Sequence, residues 1–275
     1  MDLSRVDDVR TAMRLAGIKP NKGLGQHFLV DRPSLEAIMD AAYVTKDDAV
    51  LEIGPGLGVM TRPLTQLASR VIAVETDPVL AELLRRDAPA NLDVVEEDIL
   101  QFDLRRLPPR YKVIANIPYY LTSKIFRLLI ESPNPPSIMS ILIQREVGER
   151  ITAAPGALSV LALSVQYYGR PELVRLVERH KFWPPPEVDS AVLRVTLTKP
   201  AFDADPDRLF RLIKAGFGEK RKLLKNALAG GFNLSSDFSA ALIKSAKLPP
   251  NSRAQELDLK AWQRLYKVSV KTGII

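Results

Sequence analysis

Asn116-Ile117-Pro118-Tyr119 follows directly on the apolar run Val113-Ile114-Ala115. The Asn116 side-chain carbonyl is a hydrogen-bond acceptor. The backbone carbonyl of Ile117, restricted by the proline after it, or that of Pro118 could supply a second. Two acceptors at one point would hold a planar amine with its lone pair directed forward, and Tyr119 offers an aromatic face to the ring that carries it. No histidine or paired carboxylate stands in the tetrapeptide. The chemistry implied is therefore one of alignment rather than proton transfer.

Upstream lies Glu52-Ile53-Gly54-Pro55-Gly56-Leu57-Gly58, a glycine-rich turn after another apolar run. Such a turn lets a ligand approach the backbone. Thr61 stands where a dinucleotide fingerprint has its third glycine, and Glu52 suits an amino-bearing ligand better than a pyrophosphate. Glu75, about 20 residues on, is placed to accept ribose hydroxyls. Asp98 is placed to hold an adenine amine. Carboxylates around a glycine turn fit S-adenosylmethionine, whose sulfonium and ammonium are both positive. With an amine held nearby, the pattern points to in-line methyl transfer onto the amino group of a nucleic-acid base. A base in a helix or stem must be flipped out to reach such a pocket. Phe182, ahead of Pro184-Pro185-Pro186, is the candidate for its second face.

The elements that must position these residues alternate. Strands are expected at 50–53, 71–74, 92–95, 111–115 and 138–143. Helices are expected at 61–68, 78–86, 123–131 and 146–152, after two more at 9–16 and 33–43. This rhythm implies βαβ units and a parallel sheet. Residues 173–179 and 190–197 read as a closing antiparallel pair around the proline-rich turn. Beyond them only helical spacing remains, at 209–217, 220–228, 238–244 and 259–267. The expected domains are residues 1–198, catalytic, and 199–275, helical and basic.

Charge follows the same division. Of 275 residues, 39 are Lys or Arg and 32 Asp or Glu, a net charge of +7. Residues 198–275 hold 15 basic and 7 acidic side chains, and the rest 24 and 25. A polyanion-binding module joined to a near-neutral one is expected. Lys220, Arg221, Lys222 and Lys225 are expected to form one basic face for RNA. There is no cysteine, and His27 and His180 are the only histidines, so no disulfide or metal site is expected. No apolar stretch is long enough for a membrane span, and no signal peptide is evident. A cytoplasmic monomer is expected.

The sequence resembles the ribosomal RNA adenine dimethylases over nearly its whole length. The match runs through Gly25-Gln26-His27-Phe28-Leu29, Glu52 to Gly58, Glu75, Asp98, Asn116 to Tyr119, Phe182 to Val192, and Gly218 to Asn226. The resemblance implies a Rossmann-like class I methyltransferase domain, with a mostly parallel seven-stranded sheet, and a smaller all-helical C-terminal domain. It implies S-adenosylmethionine contacts at His27, Leu29, Gly54, Glu75, Asp98 and Asn116. The catalytic group would be Asn116, Pro118, Tyr119 and Phe182. The Pro-Pro-Pro-Glu-Val-Asp-Ser segment and the basic run look most like the small-subunit branch. That branch dimethylates N6 of two adjacent adenosines near the 3′ end of small-subunit (16S) RNA, in the immature ribosomal particle. Ile117 is common in the resistance branch that modifies large-subunit RNA, which is one alternative. A non-catalytic RNA-binding assembly or transcription factor is the other.

Overall fold

Apolar runs rich in Val and Ile, covered on both faces, form the centre of the first sheet, which is why they read as continuous rather than alternating. The structure is a computed structural model and describes residues 1–20, 25–219 and 222–275. Its strands are β1 (Phe28–Leu29), β2 (Ala49–Ile53), β3 (Arg70–Glu75), β4 (Leu92–Glu96), β5 (Lys112–Asn116), β6 (Ile138–Gln144), β7 (Gly169–Val177), β8 (Phe182–Trp183) and β9 (Ser190–Leu197). Seven of them form one sheet in the order β4-β3-β2-β5-β6-β9-β7, and β1 and β8 pair separately. β2 runs parallel to β3 and β5, β3 to β4, and β5 to β6. β9 runs antiparallel to β6. This is the expected Rossmann-like class I methyltransferase architecture.

The helices are α1 (Val6–Leu15), α2 (Arg32–Ala41), α3 (Thr61–Leu67), α4 (Pro78–Arg86), α5 (Thr122–Ile130), α6 (Arg145–Ile151), α7 (Val160–Tyr168), α8 (Pro206–Phe217), α9 (Leu224–Phe232), α10 (Ser236–Ser245) and α11 (Leu259–Lys271). Several start where an aspartate caps free backbone N–H groups next to a proline. Asp31 accepts from Ser34 before α2, Asp77 from Val79 and Leu80 before α4, and Asp205 from Arg208 before α8. One face of the sheet buries Val50, Val71, Ile114 and Leu142 with Leu35 and Ile38 of α2. The Ser140 hydroxyl donates to the Ile38 carbonyl across this layer, at 2.6 Å.

Two compact units divide the chain. The first comprises Met1–Gly148 and Arg170–Leu197, the second Glu149–Gly169 and Thr198–Ile275. The break at residues 197–198 falls one residue before the expected boundary, and the second unit also takes residues 149–169. The reason is α7, which the sequence pattern did not predict. Its Ala162, Leu163 and Tyr167 are buried with Leu209, Ile213, Leu228 and Trp262 in the core of the helical unit. The Tyr167 hydroxyl donates to the Phe202 carbonyl at 2.9 Å. An almost uniformly apolar segment has no amphipathic stripe to announce it.

Gly216 in α8 is one of the points where the second unit packs tightly. A Cβ there would lie 2.7 Å from Cη2 of Trp262 and 3.0 Å from Cδ1 of Leu224. Trp262 is fully buried, so it has little room to yield. Gly216→Ala should therefore destabilise by about 1–3 kcal/mol through overpacking, despite alanine's better helix propensity. Chemical denaturation checks this; an unchanged or raised midpoint contradicts it.

Candidate functional site

The parallel strands bring their carboxyl ends to one edge, and the site is built there. β2 ends at Ile53, and the turn after it runs at φ 67° for Gly54, 59° for Gly56 and 80° for Gly58. These are left-handed values that side chains with a Cβ rarely adopt. Close approach adds a second demand: a Cβ on Gly58 would lie 2.6 Å from Cδ2 of Leu84. The Gly54 N–H donates to the Val74 carbonyl at 3.0 Å, tying the turn to β3.

Glu75, the last residue of β3, closes this turn. Its Oε2 accepts from the Gly56 N–H at 3.0 Å, and its Oε1 from Thr76 at 2.9 Å and Asp77 at 3.0 Å. Burial raises its pKa, opposed by those three N–H groups. A carboxylate oxygen has about two lone-pair directions, so Oε1 is filled and Oε2 keeps one free. Asp98, after β4, is exposed, and its Oδ1 accepts from the Leu100 N–H at 2.9 Å.

Asn116 ends β5. Its Nδ2 donates to the His27 carbonyl at 3.4 Å, a long bond that turns the amide oxygen the other way. The Pro118 carbonyl accepts from the Leu121 N–H at 3.0 Å. The Tyr119 hydroxyl lies 2.7 Å from Oγ of the fully buried Ser190, at the start of β9. Burial pushes the Tyr119 pKa up. The His27 ring donates from Nδ1 to the Pro184 carbonyl at 2.8 Å and lies nearly parallel to Tyr119, centroids 6.4 Å apart and planes 16° from parallel. The sequence pattern gave no role to Ser190 or to the Pro184 carbonyl, because each meets a partner far away in sequence.

His27, Leu29, Gly54, Glu75, Asp98, Asn116, Pro118 and Tyr119 all line one cavity of ≈ 420 Å³. A larger one of ≈ 570 Å³, bordered by residues of α1 to α4, touches none of them. Leu29 is among the residues lining the smaller one although only 1% exposed.

Three expectations need correction. Phe182 does not face the cavity: it pairs with Leu29 across β1 and β8, is 3% exposed, and packs in the core with Leu35 and Val177. Its ring is therefore not available to the second face of a base in this structure. The basic run is not one helical face among the described residues. α9 begins at Leu224, Lys222 precedes it and pairs with Glu219 at 2.6 Å, and Lys225 sits half-buried in the first turn. Lys220 and Arg221 lie outside the described residues. Glu52 does not face a ligand either, being completely buried in β2.

The family model described as ribosomal RNA adenine dimethylase matches residues 17–271. The chain is 40% identical over 258 residues to the "Ribosomal RNA small subunit methyltransferase A" of Dehalococcoides mccartyi, covering 90% of this chain and 88% of that one. It is 40% identical to the protein of the same name from Pelotomaculum thermopropionicum, covering 91% and 92%. Among solved structures, a dimethyladenosine transferase from Plasmodium falciparum superposes with TM-score 0.77 at 25% identity, covering 88% of this chain and 97% of that one. The 23S rRNA methyltransferase ErmE gives 0.72 at 27% identity, covering 87% and 98%.

Glu52 has a measurable consequence. Neither carboxyl oxygen has a hydrogen-bond partner of ordinary geometry among the described residues, and the Thr61 hydroxyl beside it is equally unpaired. Burial pushes its pKa up to about 8. An acid whose folded pKa exceeds its unfolded value holds more protons when folded, so its contribution is complete below about pH 4.5 and is lost as pH rises towards 8. The Tm of the wild type should therefore fall between pH 5 and 8.5 relative to that of Glu52→Gln, whose amide cannot ionise. Thermal melts across that range check this; parallel curves contradict it.

Proposed function

The chain belongs to the ribosomal RNA adenine dimethylase family, and on that premise we propose that it dimethylates N6 of two adjacent adenosines near the 3′ end of small-subunit (16S) rRNA. It is an S-adenosylmethionine-dependent rRNA adenine methyltransferase. The tetrapeptide lining the same cavity as Glu75 and Asp98 supports methylation of an adenine amine, and the similarity to small-subunit methyltransferases supports the small-subunit target.

The residues present fit the cofactor. Gly54 and Gly56 expose backbone at the cavity wall, the free direction of Glu75 Oε2 suits a ribose hydroxyl, and Asp98 carries an exposed carboxylate for an adenine amine. When bound, S-adenosylmethionine supplies an electrophilic methyl on a sulfonium. The chain's own task is to orient the nitrogen that attacks it. With Nδ2 turned to His27, the Asn116 amide oxygen accepts one N–H of the adenine amine. The Pro118 carbonyl, which has one lone pair beyond its bond to Leu121, accepts the other. This draws the N6 lone pair out of conjugation and aims it. Tyr119, tethered through Ser190, supports the base from one side. No residue in this group needs to remove a proton before the N–C bond forms. Alignment supplies the acceleration.

Lys222 and Lys225, with the excess charge of the last 78 residues, suit the phosphate backbone. Among the described residues no helix is long and apolar enough to cross a membrane. A cytoplasmic monomer acting on an immature small-subunit particle accords with these features.

The test is incubation with labelled S-adenosylmethionine and undermethylated small subunits, followed by digestion and nucleoside identification. Dimethyladenosine from the 3′ end is expected; label confined to large-subunit RNA would contradict the small-subunit reading. Asn116→Ala should lower the rate on the order of 100-fold or more while RNA binding persists. Undiminished methylation would remove Asn116 from the mechanism.

A further inference from the structure

Next to Tyr119 stands a second tyrosine that nothing in the fold covers. Tyr120 is 64% exposed. Tyr43 is nearly as exposed, at 58%, but the Arg194 guanidinium lies over its ring at 4.9 Å. Tyr120 has no ring, cation or hydrogen-bond partner among the described residues. Yet it lines the same cavity as Tyr119. The two belong to one 3₁₀ turn, Tyr119–Leu121, in which successive side chains diverge by about 120°. Tyr119 is held inward by Ser190 and Tyr120 is left at the mouth.

Lys124 lies four residues on, in the first turn of α5, and lines the same cavity. It is exposed and has no ion-pair partner among the described residues. Lys124 and Leu100 line both the cavity and an open surface groove of ≈ 630 Å³ that leads away from it. A bare aromatic face and an exposed ammonium group thus both line a site for one nucleotide.

We propose that Tyr120 stacks on the base adjoining the adenine in the cavity, while Lys124 binds that nucleotide's phosphate. This rests on the proposed function and deepens it: the mouth reads the neighbour of the target by its π-face and holds the strand in register. Base–aromatic stacking tolerates any base and is strong enough to matter for affinity. It suits a strand in which two adjacent residues take turns in one cavity, each being in turn target and neighbour.

The test compares wild type, Tyr120→Ala, Tyr120→Trp and Lys124→Gln. Each is measured for binding to an RNA fragment holding both adenosines, for KM and kcat on undermethylated small subunits, and for S-adenosylhomocysteine affinity. Tyr120→Ala should weaken RNA binding and raise KM on the order of tenfold. Tyr120→Trp should restore both, and S-adenosylhomocysteine affinity should not change. Lys124→Gln should flatten the salt dependence of RNA binding by about 0.7 in the log–log slope. Overturning results are an unchanged Tyr120→Ala, a tryptophan that fails to rescue, an equal loss of S-adenosylhomocysteine affinity, or a defect on particles but not on RNA. The last would mean that Tyr120 docks on protein. Wild type inactive on small subunits would instead count against the proposed function, and is read separately from the ratios between variants.

Discussion

The Glu75 carboxylate, closed on the backbone N–H groups of Gly56, Thr76 and Asp77, is the constraint on which the rest of the site depends. Neighbouring parallel strands can be aligned by their ladders alone, but the loops after them cannot. Glu75 joins two such loops: the glycine turn after β2 and the start of α4. Three N–H groups on one largely buried carboxylate leave little freedom to either. Asp77 then caps α4 in its own right, so the same few residues end a strand, seat a turn and start a helix. On the other side of β2, the Gly54 backbone approaches the Asn116 carbonyl, and a Cβ at residue 54 would stand 3.4 Å from it. The cofactor side and the amine side of the cavity are therefore set by adjacent strands with nothing bulky between them.

Buried acids at the two ends of this arrangement behave differently. Glu75 meets donors and Glu52 does not. Both are raised by burial, but Glu52, deep in β2 with only the Thr61 hydroxyl and the Glu75 charge near it, goes to about 8. At neutral pH it is mostly a protonated, uncharged group in the floor of the turn. A negative charge at the cavity wall is thus supplied by Glu75 and Asp98 rather than by the residue that opens the glycine motif.

Much of this was legible in the sequence because it is local. Apolar runs placed β2, β3, β5 and β6 to within a residue or two. The tetrapeptide and the residues Gly54, Glu75 and Asp98 sit at strand ends, where alternation of strand and helix already places ligand-binding groups. What was not legible depends on pairing between distant segments. β1 and β8 are two residues each, too short to show a period, and their register decides that Phe182 is buried while His27 reaches Tyr119. The Ser190 tether spans 71 positions. α7 is apolar on most sides and joins a unit from which the intervening strands β7 and β9 separate it in sequence. The start of α9 at Leu224 shows a further limit: a run of lysines suits a helix by propensity, yet the chain begins that helix only after Lys222 has paired with Glu219.

Titration of S-adenosylhomocysteine into wild type and Glu75→Gln, followed by calorimetry, tests the central role of this carboxylate most directly. The amide keeps one acceptor oxygen and turns an NH₂ group towards backbone donors, leaving buried N–H groups unpaired. One site is expected in the wild type, with an affinity lower by on the order of tenfold or more in the variant. Equal affinity in the two proteins would contradict it, and would mean that the glycine turn holds its shape and its ligand without Glu75.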